Sequence, residues 1–107
     1  MNSQHLEQLL SQLQKSLQDL YKPEEFQLIL FGSQARKTAG ENSDIDVAIV
    51  LKNEFDLDRE IERTSHLISD LCLEYDVLIN RLFMTQKYYE NHSSALIRNI
   101  QSEGVLV

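Results

Sequence analysis

The chain has one cysteine, one proline, three glycines and no tryptophan among its 107 residues. The lone thiol, Cys72, cannot form an internal disulfide, so covalent stapling is excluded as a source of stability. It falls in an apolar helical pattern with Ile68 and Leu71, which reads as a buried structural thiol and not a nucleophile. Positive charge is also scarce. Ten Lys and Arg against seventeen Asp and Glu leave a formal net charge of −7, which opposes binding to a phosphate backbone and disfavours an enzyme acting on long nucleic acid. The same charge suits a protein that binds divalent metal or docks on a basic partner. No apolar run approaches the ~20 residues of a membrane span. Met1-Asn2-Ser3-Gln4-His5 lacks the basic and apolar regions of a secretory signal, so a cytoplasmic location is expected.

What remains is the composition of an ordinary globular protein, 42% hydrophobic and 25% charged, with neither disorder nor membrane bias. The length suits a single domain over residues 1–107 with one modest core. It is too short for a catalytic domain plus a separate nucleotide-binding lobe, so the substrate site is expected to be completed by something else.

The most informative stretch is Leu30-Phe31-Gly32-Ser33-Gln34-Ala35-Arg36, followed, with ten residues between Ser33 and Asp44, by Asp44-Ile45-Asp46-Val47-Ala48-Ile49-Val50. An apolar strand, Phe26 to Phe31, runs into a Gly-Ser turn. There the missing side chain of Gly32 lets backbone N–H groups approach an anion, and Ser33 adds a hydroxyl donor. Asp44 and Asp46 are two apart, so on a strand both point to one face while Ile45 points into the core. Two like charges that close repel unless a cation or a proton lies between them. Mg²⁺, which takes carboxylate oxygens and completes its octahedron with substrate phosphates, fits a carboxylate pair placed beside a phosphate cradle. Arg36 could reach nucleotide phosphates or form a salt bridge to a nearby acid.

Gly32-Ser33-x-Ala35-Arg36, the ten-residue interval and Ser43-Asp44-Ile45-Asp46-Val47 together resemble the signature of the minimal nucleotidyltransferase (MNT) family, within the DNA polymerase β-like superfamily. The resemblance extends over most of the chain. A third acidic position is expected on a later strand, and Asp76, inside Glu74-Tyr75-Asp76-Val77-Leu78-Ile79, is assigned to it. Lys37 departs from the family pattern, which usually has Gly there, and Gly40 is positioned to take over the flexible role.

The rest of the chain reads as an α/β domain, a small mixed sheet with flanking helices. Leu6, Leu9, Leu10, Leu13, Leu17 and Leu20 fall at three- and four-residue steps and predict an amphipathic helix over 5–21 that covers the sheet; Pro23 ends it. A short helix is predicted from Gln34 to Thr38, then a turn at Glu41-Asn42-Ser43. A second amphipathic helix over 56–72 is expected to bury Leu57, Ile61, Ile68 and Leu71 and to expose Asp58, Arg59, Glu60, Glu62 and Arg63. His66, without neighbours at ligand spacing, reads as a surface histidine. A strand over Tyr75–Ile79 would bring Asp76 beside the Asp44/Asp46 face, joined to the second strand by a parallel crossover. From Thr85 to Glu103 the chain is expected to be helical with a break near 91–93. Ser93 or Ser94 caps the last helix and Gly104 ends it. Val105-Leu106-Val107 could add an edge strand or contact a partner.

The resemblance implies a magnesium-dependent nucleotidyltransferase in which Gly32 and Ser33 hold the β- and γ-phosphates, Arg36 assists, and Asp44, Asp46 and Asp76 bind two Mg²⁺ ions and carry catalysis. It also implies a context. MNT proteins, among them antitoxins of the MntA type, are commonly paired with HEPN-domain toxins, which many silence by transferring AMP from ATP to a tyrosine hydroxyl. Two alternatives stand beside this: an idle antitoxin that inhibits by covering its partner, and a transferase acting on a small molecule such as an aminoglycoside. Relatives of the last kind usually carry an added helical domain, which is not expected within these 107 residues.

Overall fold

The computed structural model describes residues 2–36 and 44–107. Helix α1 (Ser3–Tyr21) is followed by strand β1 (Phe26–Phe31), the short helix α2 (Gly32–Arg36), strand β2 (Ile45–Leu51) and helix α3 (Leu57–Tyr75). Strand β3 (Ile79–Thr85), helices α4 (Gln86–Asn91) and α5 (Ala95–Glu103), and strand β4 (Val105–Leu106) complete the chain. The turn expected at 41–43, Lys37, Gly40 and the end of the helix expected at Thr38 lie outside the described residues.

The four strands form one mixed sheet in the order β3-β2-β1-β4. β1 and β2 are antiparallel, with Phe31 opposite Asp46. β2 and β3 are parallel, as the intervening helix requires, with Asp46 opposite Asn80. The C-terminal β4 pairs antiparallel with β1 as an edge strand, the first of the two roles open to it from sequence.

Strand alternation divides the core into two layers. Leu28 and Leu30 of β1, Val47, Ile49 and Leu51 of β2, and Phe83 of β3 face α1 and α3, where Leu9, Leu13, Leu17, Ile68 and Leu71 close the larger layer. Ile29, Ala48, Val50 and Met84 face the other way, onto Ile97 and Ile100 of α5. Caps follow the sequence: Asn2 accepts from the His5 N–H, and Ser94 from the Ile97 N–H.

The face of α3 differs from the expected one. Leu57 and Ile61 are exposed, whereas Glu60 and Thr64 are buried with Ile68 and Leu71. Glu60 lies inside because its carboxylate accepts a 2.7 Å hydrogen bond from Tyr21 Oη and 3.3 Å bonds from Arg63, so burial leaves no lone charge. Arg63 in turn donates to the Leu20 carbonyl and covers the Tyr21 ring. This cluster ties α1 to α3 where an apolar pair was expected.

The third strand is also displaced. It begins at Ile79, not Tyr75, because α3 runs on to Tyr75 and is stopped by Asp76 in the left-handed region, at φ 53° and ψ 53°. Asp is one of the few non-glycine residues that adopt this conformation. A seven-residue β2 needs a seven-residue parallel partner, and 79–85 supplies it.

Candidate active site

Side-chain parity brings the site together. Along β2 the series Asp46, Ala48, Val50 points to the α5 side, and along β3 the series Asn80, Leu82, Met84 does the same. The apolar members are covered; Asp46 and Asn80, at the opening of both strands, are not. Asp44 immediately precedes β2 and is exposed, while Ile45 between the acids is fully buried. The two carboxylates converge as the two-residue spacing predicts. Asn80 Nδ2 donates to Asp44 Oδ2 at 3.1 Å and to Asp46 Oδ1 at 3.0 Å.

Gly32 forms the third wall. Because Phe31 pairs with Asp46, the next residue of the chain must turn beside that carboxylate. Gly32 does so at φ 74°. A Cβ built on it would collide with the Asp46 carboxylate, so both the dihedral and the space exclude a side chain. Ser33 lies in the same turn, half-buried, at the start of α2. Arg36, at the end of α2, pairs with Glu103 of α5 at 3.1 Å, both side chains well exposed. Of its two expected roles, this is the salt bridge.

Asp76 is not brought to the pair. It is the exposed C-cap residue of α3, and no group of three or more His, Cys, Asp and Glu gathers as a metal site among the described residues. The place beside Asp46 on β3 belongs to Asn80, which sequence reading passed over. Leu82-Phe83-Met84, a short apolar run just after it, is the signal that puts position 80 on a strand. His66 is on the surface, 3.4 Å from Asp70, and Cys72 is a half-buried free thiol.

The donor set fits a divalent cation. One electropositive amide nitrogen stands within 3.1 Å of an oxygen from each carboxylate, so the pair is already arranged around a point where positive charge is favourable. Asn80 is exposed, and rotation of its amide would turn its oxygen toward that point. Asp44 and Asp46 would hold the ion, with the Asn80 carbonyl as a neutral third donor.

The nucleotidyltransferase domain family matches residues 10–107. The chain belongs to that family. A Methanocaldococcus jannaschii protein named for protein adenylyltransferase activity is 29% identical over 94% of this chain and 96% of its own length. Two solved structures share the fold. One is a toxin–antitoxin complex with AMP-PNP, at a TM-score of 0.63 and 22% identity over 90% of this chain and 69% of the other. The second is a tri-AMPylated HEPN toxin of Shewanella oneidensis in complex with its MNT antitoxin, at a TM-score of 0.59 and 18% identity over 94% of this chain and 69% of the other. The mixed sheet with its flanking helices is therefore a nucleotidyltransferase fold, as the resemblance implied. Among the described residues no helix is long and apolar enough to cross a membrane.

Proposed function

We propose that this nucleotidyltransferase transfers AMP from ATP, with Mg²⁺, to a tyrosine hydroxyl of a HEPN-domain toxin and thereby acts as its antitoxin. The observation that carries the reading is the convergence of Asp44 and Asp46 on one point beside Gly32. It is supported by the relative named for protein adenylyltransferase activity and by the AMPylated HEPN toxin among the structures that share the fold. Gly32 and Ser33 receive the triphosphate, the glycine by offering backbone with no side chain in the way and the serine through its hydroxyl. Asp44 and Asp46 hold the cation, which when bound supplies Lewis-acid stabilisation to the phosphate oxygens. The acceptor oxygen forms a bond to the α-phosphorus as the α–β phosphoanhydride breaks, pyrophosphate leaves with the electron pair, and the acceptor proton passes to water.

The test is to incubate the protein with ATP, Mg²⁺ and its HEPN partner and weigh the partner by intact-mass spectrometry. Added AMP on the wild type, and none with Asp46→Asn, is the expected result. A partner that stays unmodified yet inhibited would replace transfer by steric blocking. That second reading is favoured by one observation: Asn80, and not a third carboxylate, lies beside the pair, with Asp76 at the α3 cap.

A further inference from the structure

We propose that Asn80 limits this site to a single divalent cation held together with the nucleotide. The inference rests on the nucleotidyl-transfer reading and concerns a polar side chain that touches both acids. β3 pairs in register with β2 so that Asn80 is opposite Asp46, and its amide nitrogen lies 3.0 Å from Asp46 and 3.1 Å from Asp44. Ile45 and Ile79, the neighbours of this pair along the strands, turn into the core and are buried.

Two metal ions in a nucleotidyl-transfer site lie about 3.5–4 Å apart and repel strongly. The triphosphate brings its own charge to the ion it carries, so a second ion depends on what the protein adds beyond Asp44 and Asp46. An amide at the third place adds an oxygen but no charge, and therefore completes the shell of one ion without recruiting another. The same amide donates to both carboxylates and relieves their repulsion. Asn80 can thus serve the pair in two ways, as a donor to the acids or, with its amide rotated, as an oxygen ligand. The Arg81 side chain next to it is tied to α3 through Thr64 Oγ1 at 2.8 Å and the Ile61 carbonyl at 3.0 Å. The backbone carrying Asn80 is thereby held in place while its side chain turns.

The test counts Mn²⁺ bound to the full chain with a non-hydrolysable ATP analogue, by electron paramagnetic resonance of the free ion. Wild type should bind one Mn²⁺ per chain and Asn80→Asp two, with Asp46→Asn binding none. Metal-free Asn80→Asp should also melt a few degrees below wild type, since a donor has become a third like charge, and should recover with Mn²⁺ and the analogue. Two ions on the wild type overturn the inference whatever the variant does. One ion on both wild type and a folded Asn80→Asp also overturns it, while leaving the nucleotidyl-transfer reading intact. No Mn²⁺ on the wild type, with the analogue present, removes that reading and the inference together.

Discussion

Gly32 turns at φ 74° directly against the Asp46 carboxylate, so the residue that opens the Gly-Ser turn and the carboxylate proposed to hold the cation occupy adjoining space. A side chain at Gly32 therefore costs twice. The left-handed dihedral alone is worth roughly 1–2 kcal/mol for a non-glycine residue, and a Cβ displaces Asp46 from its place opposite Phe31. Gly32→Val should lower stability by about that amount or somewhat more and should reduce nucleotide binding well beyond it. Calorimetric titration with ATP and Mg²⁺ alongside thermal melts separates the two effects. A variant that binds nucleotide normally would place the phosphate site elsewhere.

Asp46→Asn removes one of the two charges proposed to hold the cation while preserving shape. Nucleotide with Mg²⁺ should raise the melting temperature of the wild type by mass action and leave the variant unmoved, as excess EDTA should leave the wild type. Equal shifts in the two proteins would show that the pair does not bind the metal.

The Arg36–Glu103 pair joins α2 to α5 across the surface. Exposed as it is, it should contribute no more than ~1 kcal/mol, so Glu103→Gln is expected to change the melting temperature little. The same substitution frees Arg36 for a phosphate, and nucleotide affinity should rise. Unchanged affinity in Glu103→Gln, with a loss in stability, would confine Arg36 to a structural role.

Tyr21 and Glu60 form a buried pair at 2.7 Å. Burial first, and then the hydrogen bond to Glu60, push the Tyr21 hydroxyl far above its ordinary value of 10.0. A group whose folded value is raised contributes stability that is fully present below the unfolded value and is lost as pH climbs toward the folded one. Stability from this pair should therefore hold through neutral pH and decline above about pH 10. Tyr21→Phe should cost on the order of 1–3 kcal/mol at pH 7, because Glu60 loses a donor while remaining buried, and should flatten the alkaline decline. Urea unfolding at pH 7, 9, 10 and 11 measures both; parallel wild-type and variant curves across that range would refute the linkage.

At Asp76 the backbone is left-handed and the side chain exposed, an arrangement that suits glycine better than aspartate. Asp76→Gly should stabilise the fold by up to ~1 kcal/mol and leave Mn²⁺ binding at the Asp44/Asp46 pair unchanged. Loss of metal in that variant, with the fold intact, would mean that Asp76 reaches the ion after all.

Local chemistry is what the sequence by itself determined. Asp44 and Asp46 share a face because two residues is the repeat of a strand, and Gly32 stands where the chain needs a left-handed turn, although the contact with Asp46 that closes the space to a side chain comes from strand pairing. The leucine stripe of α1 and the caps at Asn2 and Ser94 are likewise properties of short segments, as is the parallel crossover forced by a helix between strands. Tertiary structure decided the rest, wherever a residue's place depends on a distant partner. Glu60 reads as a solvent residue on its own helix and is inside because Tyr21, thirty-nine positions away, donates to it together with Arg63. Asp76 and Asn80 are separated by the point at which α3 stops. That point was set by a left-handed residue and by the register β3 must take along β2, where hydrogen bonding of the strand outweighs the strand propensity of Tyr75-Asp76-Val77-Leu78. A helix that stops three residues later and a strand that starts four residues later than the local pattern suggests move an amide, and not a third carboxylate, to the edge of the site.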